Sequence, residues 1–155
     1  LSDASLKHNE VFSNLFGEIP GKLKGKNCKP YGSDLRIHVP KNSLYTYPDI
    51  TIICDKADLT DDKFDTATNP AVIVELLSKS TRNYDRFEKF SLYRDIASLK
   101  EYILVDTQKI HIENYVRNAD NTWQLTDYNA ISDNLFIASV NIPVSIADIY
   151  AGLSF

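Results

Sequence analysis

One run constrains this chain more than any other: Ala71-Val72-Ile73-Val74-Glu75-Leu76-Leu77. It is rich in β-branched residues and holds no glycine or proline. It is too short for a buried helix, and it is apolar at both odd and even positions, so it does not suit a strand with one wet face. Such a run reads as a central strand covered on both faces. A strand of that kind needs sheet neighbours and a layer above and below it. The exception within the run is Glu75. An ionised carboxylate among valines and leucines is costly unless it is paired or holds a metal.

The surrounding pattern supplies the neighbours. Leu6, Val11, Leu15 and Phe16 fall near helical spacing, so Leu6 to Phe16 is expected to be helical, with Ser2, Asp3 or Ser5 as cap and Gly17 as stop. Gly21 to Pro30 reads as a lysine-rich loop. Leu35, Ile37 and Val39 alternate with polar residues as in a half-buried strand, and Ile50 to Cys54 is β-prone. Asp55 to Asn69, with Asp55, Asp58, Asp61, Asp62 and Asp65, reads as an exposed acidic loop. Asn83 to about Ser98 is expected to be a helix, capped by Thr81 or Asn83. Tyr102 to Val105 is expected to be a strand buried on both faces. Ile110 to Val116 and Thr122 to Tyr128 form a hairpin pattern around Asn118 to Asn121, and Val144 to Ala151 suggests a short helix. This order predicts an α/β (α+β) architecture: a mixed sheet flanked by helices. Ala71 to Val105 would be a strand–helix–strand crossover with parallel strands.

Three side chains could carry chemistry. Asp49, after Tyr47-Pro48 and before Ile50-Thr51-Ile52-Ile53, interrupts an apolar strand as Glu75 does. Each has a plain structural alternative: a turn cap for Asp49, an ion pair at a strand end for Glu75. On neighbouring strands the two would make an oxygen-rich site for Mg²⁺ or Mn²⁺. The third is Lys89. On a wheel at ~100° per residue it falls within the apolar face of its helix, which also takes in Phe87, Phe90, Leu92, Tyr93, Ile96 and Ala97. Asp85, Lys89 and Tyr93 are four apart and stack along that face. Lys89 either snorkels to solvent along its stem or points at Glu75, where an ammonium can orient a water or offset charge on a phosphate.

These residues resemble a known family. A Pro-Asp before an apolar strand, then an apolar strand carrying glutamate, is the outline of the PD-(D/E)XK nuclease superfamily. More narrowly, Pro48-Asp49, Val74-Glu75-Leu76-Leu77-Ser78-Lys79-Ser80-Thr81, Asp85, Lys89, Tyr93, Glu101-Tyr102 and the opening Ser5-Leu6-Lys7-His8-Asn9 are similar to the Uma family of restriction-endonuclease-like proteins. The resemblance runs from about Ser5 to Val116. It implies a restriction-endonuclease-like mixed sheet, a divalent metal (Mg²⁺ or Mn²⁺) and hydrolytic cleavage of DNA. It also implies Asp49, Glu75 and the main-chain carbonyl of Leu76 as metal ligands, with Lys89 as the catalytic lysine and Asp85 and Tyr93 in support. The superfamily motif expects lysine two residues after the glutamate, where this chain has Leu77, so Lys89 would be a lysine displaced onto the helix. His8 and Glu10 lie on the opening helix within reach of such a site, although residues of their type mostly serve on the surface.

Composition sets the remaining bounds. The chain has 155 residues, 43% hydrophobic and 25% charged, which suits one domain over 1–155. No apolar run nears the roughly 20 residues of a membrane span. A start at Leu1 and the lack of methionine predict that a short N-terminal piece is missing. Cys28 and Cys54 show no metal spacing; Cys54 is expected as a buried free thiol and the setting as reducing and cytoplasmic. The net charge of −4 argues against coating nucleic acid by bulk charge. Locally, Lys79 to Lys100 holds six basic and three acidic residues, with Arg82 and Arg86 the best candidates for DNA phosphate contact, and Lys22, Lys24, Lys26 and Lys29 form a second cluster. The leading expectation is a Mg²⁺-dependent DNA endonuclease, acting as a homodimer where both strands are cut. The alternatives are an inactive nucleic-acid-binding or assembly domain on the same fold, and a hydrolase of small phosphate esters.

Overall fold

A computed structural model of the chain describes residues 5–60 and 65–155. Ser2, Asp3, Asp61 and Asp62 lie outside the described residues. At the centre is a six-stranded mixed sheet in the order β1-β4-β6-β7-β8-β9. It comprises β1 (Cys28–Tyr31), β4 (Ile50–Cys54), β6 (Val72–Leu77), β7 (Glu101–Asp106), β8 (Ile112–Arg117) and β9 (Trp123–Tyr128). Strands β6 and β7 run parallel and are buried along their whole length, as expected of strands covered on both faces. The other neighbours in this sheet pair antiparallel.

Alternation along β6 divides the interior. Val72, Val74 and Leu76 face a core shared with Val11, Leu15 and Ile19 of α1 (Leu6–Lys22) and with the hairpin β10 (Asn134–Ile137)–β11 (Ile142–Ser145) and α4 (Ile146–Ile149). Ile73 and Leu77 face a second core with Phe90, Tyr93, Tyr102 and Leu104. Above that second core lie the helical crossover and a small sheet of β2 (Arg36–Val39), β3 (Leu44–Thr46) and β5 (Thr66–Ala67). Glu75 belongs to the second face.

Several local expectations are corrected. Helix α1 begins with Ser5 as cap, its Oγ accepting from the His8 N–H at 3.1 Å. It does not stop at Gly17 but runs through Pro20 to Lys22, because Ile19 extends the buried stripe of Val11 and Leu15. Tertiary burial there outweighs the low helix propensity of glycine and proline. The expected lysine-rich loop contains β1, an edge strand that carries Pro30 where an edge tolerates it. That strand sets Cys28 opposite Cys54, and the two form a disulfide. The expectation of a free Cys54 thiol is therefore wrong: the partner strand was hidden by its lysines. Strands β3, β5, β10 and β11 are short and add to the expected set, and β11 takes Val144 and Ser145 from the helix expected over Val144 to Ala151, which covers Ile146–Ile149.

The crossover helix is shorter and less regular than expected. It comprises α2 (Arg82–Tyr84), a π turn over Asp85–Lys89, and α3 (Phe90–Tyr93). Phe87, at the far edge of the broad apolar face, is 63% exposed, and Ala97 lies beyond the helix end. Asp85, Lys89 and Tyr93 keep their shared inward face. Among the described residues, no helix is long and apolar enough to cross a membrane.

Candidate active site

Before β4 begins, β6 runs on past it, and the open step is closed by side chains. The Asp49 N–H donates to Glu75 Oε1 at 3.3 Å. In return Asp49 Oδ2 accepts from the Leu76 N–H at 2.8 Å. This reciprocal clasp sits one residue before the first paired position of β4, which is where the proline–aspartate pair stands in the sequence.

The helical crossover supplies the other side. Lys89 Nζ lies 2.9 Å from Glu75 Oε2 and 3.6 Å from Asp85 Oδ1. The Tyr93 hydroxyl donates to the same Glu75 Oε2 at 2.9 Å and lies 3.1 Å from Thr46 Oγ1. The Tyr102 hydroxyl donates to the main-chain carbonyl of Asp85 at 2.8 Å, tying the π turn to the sheet. From helix α1, His8 Nε2 reaches Asp49 Oδ1 at 3.4 Å.

The electrostatics follow from burial and an excess of carboxylates. Burial pushes Glu75 up to about 7, against the attraction of Lys89, and nearby Asp49 and Asp85 add to the rise. Asp85 is raised by burial too, again opposed by Lys89. Burial disfavours the Lys89 ammonium, but the charges of Glu75 and Asp85 outweigh it, so Lys89 titrates above its ordinary range and stays charged. The hydrogen bond to Asp49 raises His8 against the opposing effect of burial. Tyr93 is raised by burial and by Glu75, which keeps its hydroxyl a donor.

All of this opens into a cleft of about 760 Å³ lined by Asp49, Glu75, Asp85 and Lys89, the hydroxyls of Ser78, Ser80 and Thr81, and by His8, Thr46 and Tyr47. A second groove of about 780 Å³ lies at the other end of the helix, among Phe90, Arg94, Tyr115, Arg117 and Trp123, and no carboxylate lines it.

A divalent cation fits the donor set. Two carboxylates with room left for water and a substrate oxygen suit Mg²⁺, which keeps part of its hydration and needs near-octahedral oxygen ligands. Asp49 is the accessible carboxylate, with a side chain 21% exposed against 4% for Glu75. In a strand, the N–H and C=O of one residue point to the same edge. The Leu76 carbonyl therefore faces the Asp49 side, beyond the last pair of β4 and β6, as a third ligand would require. Among the described residues, one trio of potential ligands has all its atoms within 4.8 Å of one another: His111, Glu113 and Asp127. It lies two strands across from Glu75 on the same face, through Leu104. Its groups are already engaged, His111 with Asp127 at 2.9 Å and Glu113 with Arg86 at 2.8 Å.

The structure thus gathers Asp49, Glu75, the Leu76 main chain, Lys89, Asp85 and Tyr93 into one place. It does not bring Arg82 and Arg86 there. Arg82 grips Asp106 through two bonds of 2.9 and 3.0 Å, and Arg86 grips Glu113. One contributor, Thr46, was not marked by the sequence: it sits on a three-residue strand with no pattern to announce it. His8, expected within reach from the opening helix, does enter the site, and it continues the buried Val11–Leu15–Ile19 stripe one turn toward the N-terminus.

The mixed sheet, its covering layers and the carboxylate–lysine cluster define a restriction-endonuclease-like fold of the nuclease class. Residues 2–145 match the Uma2 family, described as "Putative restriction endonuclease", and the chain belongs to that family. Two proteins of Synechocystis sp. (strain ATCC 27184 / PCC 6803 / Kazusa) are similar to it, both named as uncharacterized. The slr1290 protein is 34% identical over all of this chain and 80% of its own length. The sll1609 protein is 33% identical over 82% of this chain and 72% of its own length. A crystal structure described as a putative nuclease belonging to DUF820, from Anabaena variabilis ATCC 29413, superposes with a TM-score of 0.76. It covers 95% of this chain and 82% of that one, at 14% identity; this likeness is one of fold.

Proposed function

We propose that this protein is a Mg²⁺-dependent (or Mn²⁺-dependent) endonuclease that hydrolyses phosphodiester bonds in DNA. The observation that carries the reading is the convergence of Asp49, Glu75 and Lys89 on one cleft, from a strand entry, a strand interior and a helix. Membership of the Uma2 family and the nuclease-type fold support the same class of chemistry.

In this reading Asp49, Glu75 and the Leu76 carbonyl hold the cation, which supplies Lewis-acid charge to the scissile phosphate. Lys89 directs its ammonium at the space in front of Glu75, where it orients the attacking water and offsets charge on the phosphate. Tyr93 and Asp85 hold Glu75 and Lys89 in register. Leu77, at the place of the superfamily lysine, is core and 1% exposed, so the ammonium comes from the helix instead.

The test is calorimetric titration of Mg²⁺ and Mn²⁺ into the protein and its Glu75→Ala form, followed by cleavage of plasmid DNA. Binding in the micromolar-to-millimolar range and cleavage are expected, with both lost in the variant. Full cleavage by Glu75→Ala would sink the reading. Leu77 also motivates a second reading, an inactive nucleic-acid-binding domain, which predicts metal-independent binding without cleavage.

A further inference from the structure

The surface around the cleft carries information about the form of the substrate. This inference rests on the nucleic-acid reading above. Tyr47, two residues before Asp49, lines the cleft and is 56% exposed. Tyr84, on the helical wall, is 44% exposed, and its ring centroid lies 5.9 Å from Lys89 Nζ. One largely open ring thus lines the ionic pocket, and a second, from a different element, lies beside the pocket's lysine.

Open rings are poor partners for the flank of a duplex, which presents phosphates and sugars. They are good partners for base faces, which only an unpaired strand exposes, and stacking there tolerates any sequence. The charges agree. Arg82 and Arg86, the cations flanking Tyr84, face inward onto Asp106 and Glu113, and the chain carries a net charge of −4. The two arginines nearest the cleft are thus withheld from the phosphate tracking on which duplex binding depends. The size agrees as well. A cleft of about 760 Å³ falls in the roughly 300–1,000 Å³ range of small-ligand pockets, room for a nucleotide or two.

We propose that Tyr47 and Tyr84 are stacking residues that select unpaired DNA, so that single strands or locally opened duplex are the substrate of this site. The experiment is fluorescence anisotropy at low salt with EDTA present to prevent cutting. It uses labelled oligodeoxythymidylate and a duplex of equal length, on the protein and on Tyr47→Ala, Tyr47→Phe, Tyr84→Ala and Tyr84→Phe. Tighter binding of the single strand by about tenfold or more is expected. Each alanine variant should weaken single-strand binding by roughly 5- to 150-fold, the effect of one lost stack. The phenylalanine variants should bind as the parent does, and duplex binding should not move. Equal or tighter duplex binding, alanine variants that bind the single strand unchanged, or no binding of either probe would overturn it. The two readings fail separately: Mg²⁺-dependent cleavage that prefers duplex and ignores both tyrosines keeps the nuclease and removes the stacking role. Tyrosine-dependent single-strand binding with no cleavage under any metal does the reverse.

Discussion

In the proposed reading the chemistry turns on Glu75, and its environment makes a prediction of its own. Three carboxylates, Asp49, Glu75 and Asp85, act on the ammonium of Lys89 at the head of the cleft, and burial raises Glu75 to about 7. A divalent cation must displace the Glu75 proton. The sign follows: below about pH 7 protons compete with the metal, and above it they do not. Apparent Mg²⁺ affinity should therefore fall about tenfold for each pH unit below 7 and level off above it, with about one proton released per ion bound well below pH 7 and none well above it. Calorimetry in two buffers of different ionisation enthalpy checks this. Affinity that does not change between pH 5.5 and 7 would show that Glu75 is not the group displaced. At this scale much was legible in the sequence, because a carboxylate within an apolar run is conspicuous wherever the strand is placed. Arg82 and Arg86 were less so. Their charge is visible in the sequence, but their partners Asp106 and Glu113 are 24 and 27 residues away.

Among the elements, β7 does a second job through a residue that the catalytic reading does not use. Glu101 is fully buried on the α1 side of the sheet. It accepts from the Asn114 side chain at 2.8 Å, from the main-chain N–H groups of Ala138 and Ser139 at 3.0 and 2.8 Å, and from the Ser139 hydroxyl. It thereby pins the β10–β11 hairpin to the central sheet. Glu101→Ala should cost about 3 kcal/mol or more, since several buried donors lose a charged acceptor. The change would appear as a lower urea midpoint in a form that still binds metal at Glu75; an unchanged midpoint would count against the anchoring role. The crossover helix shows the limit of pattern reading at this scale. A wheel at fixed pitch placed Lys89 and Tyr93 correctly, but Phe87, at the far edge of the broad apolar face, turned outward. Side-chain periodicity gives a face and not its limits, and the π turn at Asp85–Lys89 is not written in it.

Across the whole molecule, strand β4 is held between β6 and the edge strand β1, and the Cys28–Cys54 disulfide fastens that edge. The bridge closes a loop with a sequence separation of 26 residues, which by chain entropy stabilises the fold by about 3.5 kcal/mol. Reduction, or Cys54→Ser, should lower the unfolding free energy by about that amount, read as a lower urea midpoint at unchanged slope; identical midpoints with and without reductant would refute it. The sequence by itself determined the central strand, its parallel partner, the hairpin and the two interrupting carboxylates, because each is written in local periodicity and in the cost of burying charge. Only the tertiary structure decided what met what: that β1 lay beside β4, that His8 and Thr46 entered the site, and that both arginines turned inward. Those contacts join residues remote in the chain, and no local pattern encodes which distant partner will satisfy a charge, a thiol or a strand edge.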